Sequence, residues 1–347
     1  MRNNCMFNVP RKADHSRRRV KASGRIASLA FKGALAIVCS FAIVAVMPAC
    51  GGSSGAGSSG SGQAEALSLP FGGGGDEASG ADFSQPSDIE EPEPSADSGG
   101  APDIDAAHAT DGYVTAQAAS ASRLKFQVNL GDQTYNYDLP NDGTQTVYPL
   151  NMGSGSYTFR IMQNTSGSNY VELYSSTADV ALATEFDPFL MPNMFCDYDK
   201  SSTCVSKARE VTGSASNVAE AVKSVCEFVA NNVTYDNAKA EQLASSTGYV
   251  PNPDETLSTG KGICFDYAAL SAAMLRSMGI PTKIVTGYVG KDQVYHAWIM
   301  VYIDGTWQSA QFKVEPNTWS RCDVTFASTG ATQYVGDASA YTDKYTY

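Results

Sequence analysis

The sequence predicts an α+β protein in which a small β-sandwich precedes a core of helices and antiparallel strands. Residues 122–183 contain short segments of alternating apolar and polar side chains, the period of half-buried strands. After Asn217 the apolar residues recur at helical spacing, and strand patterns return after Pro281. A run of strands followed by mixed helices and strands indicates two domains, which we assign to residues 122–185 and 186–347.

The first domain has the simpler pattern. Leu124, Phe126 and Val128 alternate with polar residues, and Asn141-Asp142-Gly143 provides turn chemistry between strands. About six short strands of this kind fit a small β-sandwich. We interpret it as a spacer or substrate-facing module; a wall-polymer-binding role is a weaker alternative.

The first 49 residues have the pattern of an export signal. They contain nine Lys or Arg and one acidic residue, followed by an apolar run from Ala34 to Val46 and then Met47-Pro48-Ala49-Cys50. The run is short for a transmembrane helix. It resembles a bacterial lipoprotein signal, which implies lipidation of Cys50 at a new N-terminus; an uncleaved anchor is the alternative. Either interpretation predicts an extracytoplasmic protein at the outer face of the cell membrane.

Residues 50–121 have the composition of a tether. From Gly51 to Ala121 the chain is rich in Gly and Ser, then in Pro, Asp and Glu, and it contains no Lys or Arg. Such a segment has little apolar surface to bury, so we expect it to be disordered. His108 lies in this segment, and we expect it to have no functional role.

The charge of the chain excludes one class of partner. The whole chain carries 36 acidic and 24 basic residues. Without residues 1–49 it would retain 35 acidic and 15 basic residues, a net charge near −20. A chain this acidic repels phosphate backbones, so we expect no nucleic-acid partner.

One cysteine stands where a glycine-rich turn becomes a helix. Residues 260–278 read G-K-G-I-C-F-D-Y-A-A-L-S-A-A-M-L-R-S-M, with apolar residues at helical spacing behind Cys264 and helix-ending signals at Gly279 and Pro281. A helix N-terminus favours a thiolate over a thiol, and its N–H groups can stabilise an oxyanion. The alternative interpretation is a small buried hydrophobic side chain. Asp266 is expected to fix the start of the helix.

A histidine and an aspartate follow in an order that suits nucleophilic catalysis. Tyr295-His296-Ala297-Trp298 opens a predicted strand, and Trp319-Ser320-Arg321-Cys322-Asp323 opens another. A thiol, a base and a carboxylate are the components of a nucleophilic triad. No C-x-x-C, H-x-x-x-H or phosphate-loop motif occurs, so we expect neither a metal nor another cofactor.

These motifs together resemble the transglutaminase-like superfamily of bacterial surface proteins. The resemblance rests on G-K-G-I-C-F-D-Y-A-A-L, M-L-R-S-M-G-I-P-T-K-I-V-T-G-Y, Y-H-A-W and D-V-T-F, and covers roughly residues 186–347. It implies a papain-like core, a helix bearing the cysteine packed on an antiparallel sheet. In it Cys264 would be the nucleophile, His296 the base and Asp323 the orienting carboxylate.

The carboxylate has two candidate positions in a W-x-x-x-D pattern. The pattern counted from Trp307 ends on Gln311, whereas from Trp319 it ends on Asp323. Asp323 fits if residues 306–316 form an added hairpin arm, and we prefer it.

The resemblance implies acyl transfer through a thioester on a peptide or glutamine-type amide. Water as acceptor makes the enzyme a cysteine peptidase, and a lysine amine makes it a transglutaminase. The expected substrate is a protein or a cell-wall peptide. The alternative is a catalytically inactive surface binding or adhesion module with the same fold. Four further cysteines allow three disulfide pairings, between which the sequence does not choose: Cys196, Cys204, Cys226 and Cys322.

Overall fold

The computed structural model describes residues 78–93, 95–308, 312–330 and 338–347. Its strands are β1 Asp103–Asp105, β2 Tyr113–Gln117, β3 Leu124–Leu130, β4 Gln133–Leu139, β5 Thr146–Pro149, β6 Gly155–Ser166, β7 Asn169–Val180, β8 Thr234–Tyr235, β9 Lys261–Gly262, β10 Thr282–Val289, β11 Val294–Ile303, β12 Trp307–Gln308, β13 Lys313–Val314, β14 Thr318–Cys322 and β15 Tyr341–Thr346. Its α-helices are α1 Thr203–Val211, α2 Val218–Asn232, α3 Asn237–Leu243, α4 Pro253–Thr259, α5 Cys264–Arg276 and α6 Val324–Thr329. Across these ranges, none of the helices has the length and apolar character needed to cross a membrane.

The N-terminal part is a β-sandwich. One antiparallel sheet has the order β1-β2-β5, and the other has the order β4-β3-β6-β7. Phe126 of β3 packs against Tyr148 of β5 with ring centroids 4.5 Å apart, so the inner faces of the two sheets meet in one apolar core. The sandwich predicted from strand alternation is confirmed.

The tether prediction is wrong where β1 and β2 lie. These strands fall inside the predicted disordered segment 50–121, yet all five residues of β2 are buried. Val114 pairs with Tyr148 of β5, more than 30 residues further along the chain. The prediction of disorder used only the composition of the segment itself. It therefore missed strands that are stabilised by pairing with a strand distant in the sequence. Residues 50–77, which include Cys50, lie outside the described ranges.

Residues 78–93 are also not a free tether, because they pack against the C-terminal part of the chain. Ser79 exchanges two backbone hydrogen bonds with Thr306, at 2.9 and 2.6 Å. Further along, the Arg209 guanidinium donates to the carbonyl of Pro86 at 2.8 Å, and Ile89 is buried in the apolar core. These contacts fix a segment whose composition predicts disorder.

The C-terminal part is built around α5. Every residue from Asp266 to Arg276 is buried. The helix packs on an antiparallel sheet of order β14-β11-β10-β15, and Ala297, Ile299 and Val301 of β11 share its apolar core. This arrangement confirms the predicted cysteine-bearing helix on an antiparallel sheet. The last strand, β15, corresponds to the tyrosine-rich end of the sequence.

Local signals set the ends of the elements that frame the site. The Asn217 side chain accepts a hydrogen bond from the backbone N–H of Glu220 at 2.9 Å, which caps α2 as its sequence predicts. Gly260 ends α4 with a φ of 60°, a left-handed conformation that favours glycine. Two residues of β9 then lead directly into α5.

Phe195 and Tyr347 join the two parts. Their ring centroids are 4.5 Å apart, and both side chains pack against the core of the sandwich and against the core around α5. The domains therefore share an aromatic joint.

Candidate active site

Cys264 is the first residue of α5. The preceding strand β9 pairs in parallel with β8, which holds the turn before the helix in place. Of the five cysteines in the described ranges, Cys264 alone is partly exposed; the other four are buried free thiols. A partly exposed thiol at a helix N-terminus is accessible to a substrate and close to unpaired backbone donors.

Buried Asp266 holds this turn. Its carboxylate accepts hydrogen bonds from the backbone N–H of Ile263 at 2.8 Å and from the hydroxyl of Tyr249, and it forms an ion pair with Lys239 at 2.8 Å. An added Cβ on Gly262 would lie 2.5 Å from the Cβ of Asp266, so the turn requires glycine there. The contacts agree with the interpretation that Asp266 fixes the start of α5.

His296 lies on β11 and is almost fully buried. Its Nε2 is 2.9 Å from Oδ2 and 3.2 Å from Oδ1 of Asp323. The imidazole stacks on Phe326, with ring centroids 4.3 Å apart. The carboxylate and the stacking together fix the plane of the ring.

Asp323 connects β14 to α6, and its two carboxylate oxygens bind different partners. Its Oδ1 accepts from the backbone N–H of Phe326 at 3.0 Å, which caps α6. Its Oδ2 accepts from the hydroxyl of Tyr341 at 2.8 Å, in addition to its contact with His296. Sequence analysis did not single out Tyr341, because this residue approaches Asp323 only through the pairing of β15 with β10.

Cys264 lies within hydrogen-bonding reach of the His296 imidazole. Because Nε2 faces Asp323, Nδ1 is the ring nitrogen left to face the thiol. Burial alone would lower the pKa of His296, but the charges and hydrogen bonds of Asp323 and Cys264 outweigh it and raise the pKa to about 10. At neutral pH the imidazole is therefore protonated.

The added hairpin arm is present. β12 pairs with β13 in antiparallel fashion, and β14 follows and pairs with β11. Asp323, which comes directly after β14, therefore lies beside His296 near the start of β11. Gln311, the alternative position, lies outside the described residues. The structure thus brings Cys264, His296 and Asp323 together.

The remaining cysteines lie away from the exposed part of this site. Cys226 of α2 is next to Cys322, and this neighbouring thiol together with burial raises the pKa of Cys226. Cys196 and Cys204 are also buried free thiols, so none of the three disulfide pairings that these four cysteines allow is formed in the structure. Within the described ranges, no cluster of three or more His, Cys, Asp or Glu side chains could hold a metal ion.

Part of this chain is similar to known proteins. Residues 205–323 match the family model of the transglutaminase-like superfamily. A UPF0252 protein of Methanocaldococcus jannaschii is 29% identical over 152 residues. That alignment covers 40% of this chain and 40% of the relative, so the chain matches well under half of the relative's length.

Two solved structures share lower identity. A Cytophaga hutchinsonii protein that is proposed to be a cysteine protease is 19% identical, with a TM-score of 0.38 over 68% of this chain and 79% of that one. The periplasmic domain of TgpA from Pseudomonas aeruginosa is 14% identical, with a TM-score of 0.30 over 64% and 74%. The family match is the more specific finding. Residues 205–323 of this chain form a domain of the transglutaminase-like superfamily.

Proposed function

We propose that the protein catalyses thiol-dependent acyl transfer on peptide or glutamine-type amides, with Cys264 as nucleophile, His296 as acid and base, and Asp323 as the group that orients His296. One observation carries the proposal: a single buried imidazole is 2.9 Å from the Asp323 carboxylate and within reach of the Cys264 thiol. This is the arrangement that nucleophile, base and orienter require.

In the first half of the reaction, the Cys264 thiolate attacks the amide carbonyl and forms a carbon–sulfur bond. The oxyanion that develops lies near the start of α5, where the backbone N–H of Cys264 has no acceptor within the helix. As the carbon–nitrogen bond breaks, the His296 imidazolium gives its proton to the leaving amine. The products are a thioester on Cys264 and a free amine.

Forming the thioester changes the acidity of His296. The thiolate charge that helps to keep the imidazole protonated is consumed, while burial still lowers its pKa. The imidazole then accepts a proton from the attacking water or amine, which breaks the carbon–sulfur bond and restores the thiolate. Water gives a carboxylic acid, and a lysine amine gives a new amide.

The location and partners proposed for this enzyme come from the sequence. We propose a lipid anchor on Cys50, an extracytoplasmic position and a protein or cell-wall peptide as substrate. Recovery of the Cys50→Ala variant in the membrane fraction, at the same level as the natural protein, would contradict the anchor.

An activated ester tests the chemistry without knowledge of the natural substrate. We expect p-nitrophenyl acetate to release p-nitrophenolate in a burst equal to the enzyme concentration, with the acetyl group found on Cys264 by peptide mass spectrometry. The Cys264→Ala variant should lose the burst. Added methylamine then shows whether the acetyl group passes to an amine faster than to water.

A burst that persists in Cys264→Ala, or an acetyl group found only on other residues, would contradict the proposal. The inactive binding module would then be the better interpretation.

A further inference from the structure

Tyr295 is an exposed aromatic side chain directly before His296. More than half of it, 52%, is exposed. Yet its hydroxyl donates to Oγ1 of buried Thr286 at 2.9 Å, and its ring meets Tyr288 edge-on with centroids 5.4 Å apart. The ring is therefore held in one position with an open face.

The register of the sheet gives the direction of this ring. Tyr295 pairs with Tyr288, and Ala297 pairs with Thr286, so these side chains share one face of the sheet. Ala297 packs in the core with α5, so this is the face toward α5. Tyr295 thus lies at the start of β11, on the side of the sheet where α5 carries Cys264.

Two more partly exposed rings continue from Tyr295. The Tyr347 hydroxyl also lies close to Thr286, and the Tyr347 ring lies 6.5 Å from the ring of Phe265. Phe265 directly follows Cys264, as Tyr295 directly precedes His296. We call Tyr295, Tyr347 and Phe265 the aromatic shelf.

We propose that the aromatic shelf binds an apolar or aromatic side chain of the acyl donor, next to the amide that reacts. This inference rests on the proposed function, because it assigns a substrate feature to the same site. An acyl group on Cys264 would lie beside Phe265, and Tyr347 extends the aromatic surface from Phe265 toward Tyr295. Rigid rings bury apolar area at little cost in conformational entropy.

Alkylation of Cys264 by two neutral probes tests the shelf in the full-length protein. N-benzyl iodoacetamide carries a ring for the shelf, and N-(2-hydroxyethyl) iodoacetamide carries a polar group instead. We expect the benzyl probe to react about tenfold faster in the natural protein, the scale that apolar contacts in a binding site provide. Peptide mass spectrometry separates Cys264 from the other cysteines.

Variants assign the preference to Tyr295. The Tyr295→Ser variant should lose at least two thirds of the benzyl preference, and Tyr295→Phe should restore it because the ring remains. Tyr174→Ser is the matched control, since Tyr174 is 40% exposed on β7 of the sandwich and should leave the preference unchanged.

A benzyl preference below about twofold in the natural protein, or one that Tyr295→Ser leaves intact, would overturn the shelf. Using a ratio of two probes keeps this outcome separate from failure of the proposed function. If Cys264 reacts slowly with both probes, the proposal that its thiol is activated is contradicted, and the ratio of the two rates still tests the shelf. A fast Cys264 without preference would overturn the shelf alone.

Discussion

The His296→Ala variant is expected to hydrolyse its acetylated Cys264 at least about a hundredfold more slowly than the natural protein, since a positioned general base contributes roughly 10²- to 10⁴-fold. The thioester has to be attacked by water, and His296 is the base within reach of the sulfur. The measurement is the decay of the acetyl group on Cys264 after p-nitrophenyl acetate is removed, followed by peptide mass spectrometry at pH 7.

A second histidine provides the control. His108 is partly exposed, stacks on Tyr113 and lies in the sandwich part of the chain. The His108→Ala variant should deacetylate at the natural rate. If His296→Ala and His108→Ala decay equally fast, His296 is not the base.

Arg276→Met is expected to cost about 2 to 4 kcal/mol of the free energy of unfolding. The buried guanidinium donates to three backbone carbonyls, of Thr282 at 2.9 Å, Met191 at 2.8 Å and Tyr347 at 2.9 Å. These bonds tie the end of α5 to β10, to the segment that enters the domain and to the end of β15. Methionine fills similar space but leaves the three carbonyls without their donor. Urea unfolding followed by circular dichroism gives the free energy.

Arg160→Met is the matched control for this change. Arg160 is exposed and forms an ion pair with Glu172 at 3.4 Å, an arrangement that contributes little to stability. Its replacement should change the free energy of unfolding by less than about 0.5 kcal/mol. Equal effects of the two variants would contradict the role given to Arg276.

Local patterns were sufficient to predict the elements that carry the site. The start of α2 at Asn217 and the start of α5 at Cys264 depend on capping and on helical spacing within a few residues of sequence. The sandwich strands β3 and β4 are paired neighbours, so their alternation is visible locally. β1 and β2 were missed because β2 owes its burial to β5, which is distant in sequence.

The residues of the candidate site also fall into those that local sequence predicts and those that it does not. Cys264 and His296 lie in recognisable motifs, whereas the choice of Asp323 depended on an inserted arm, which the pairing of β12 with β13 supplies. Tyr341 carries no local signal, since its hydroxyl meets Asp323 only after β15 adds to the sheet. Contacts that depend on sheet assembly are hidden from a single sequence.

The most direct test of the central claim is the rate of Cys264 alkylation by iodoacetamide between pH 5 and 9. The pKa of His296, raised to about 10, keeps the imidazolium present over this whole range, and it favours the thiolate of Cys264. We therefore predict that the rate is already near its plateau at pH 6 and that His296→Ala lowers it at least about tenfold there. A rate that instead rises around pH 8.5, as for an ordinary thiol, and is the same in both proteins would contradict the account.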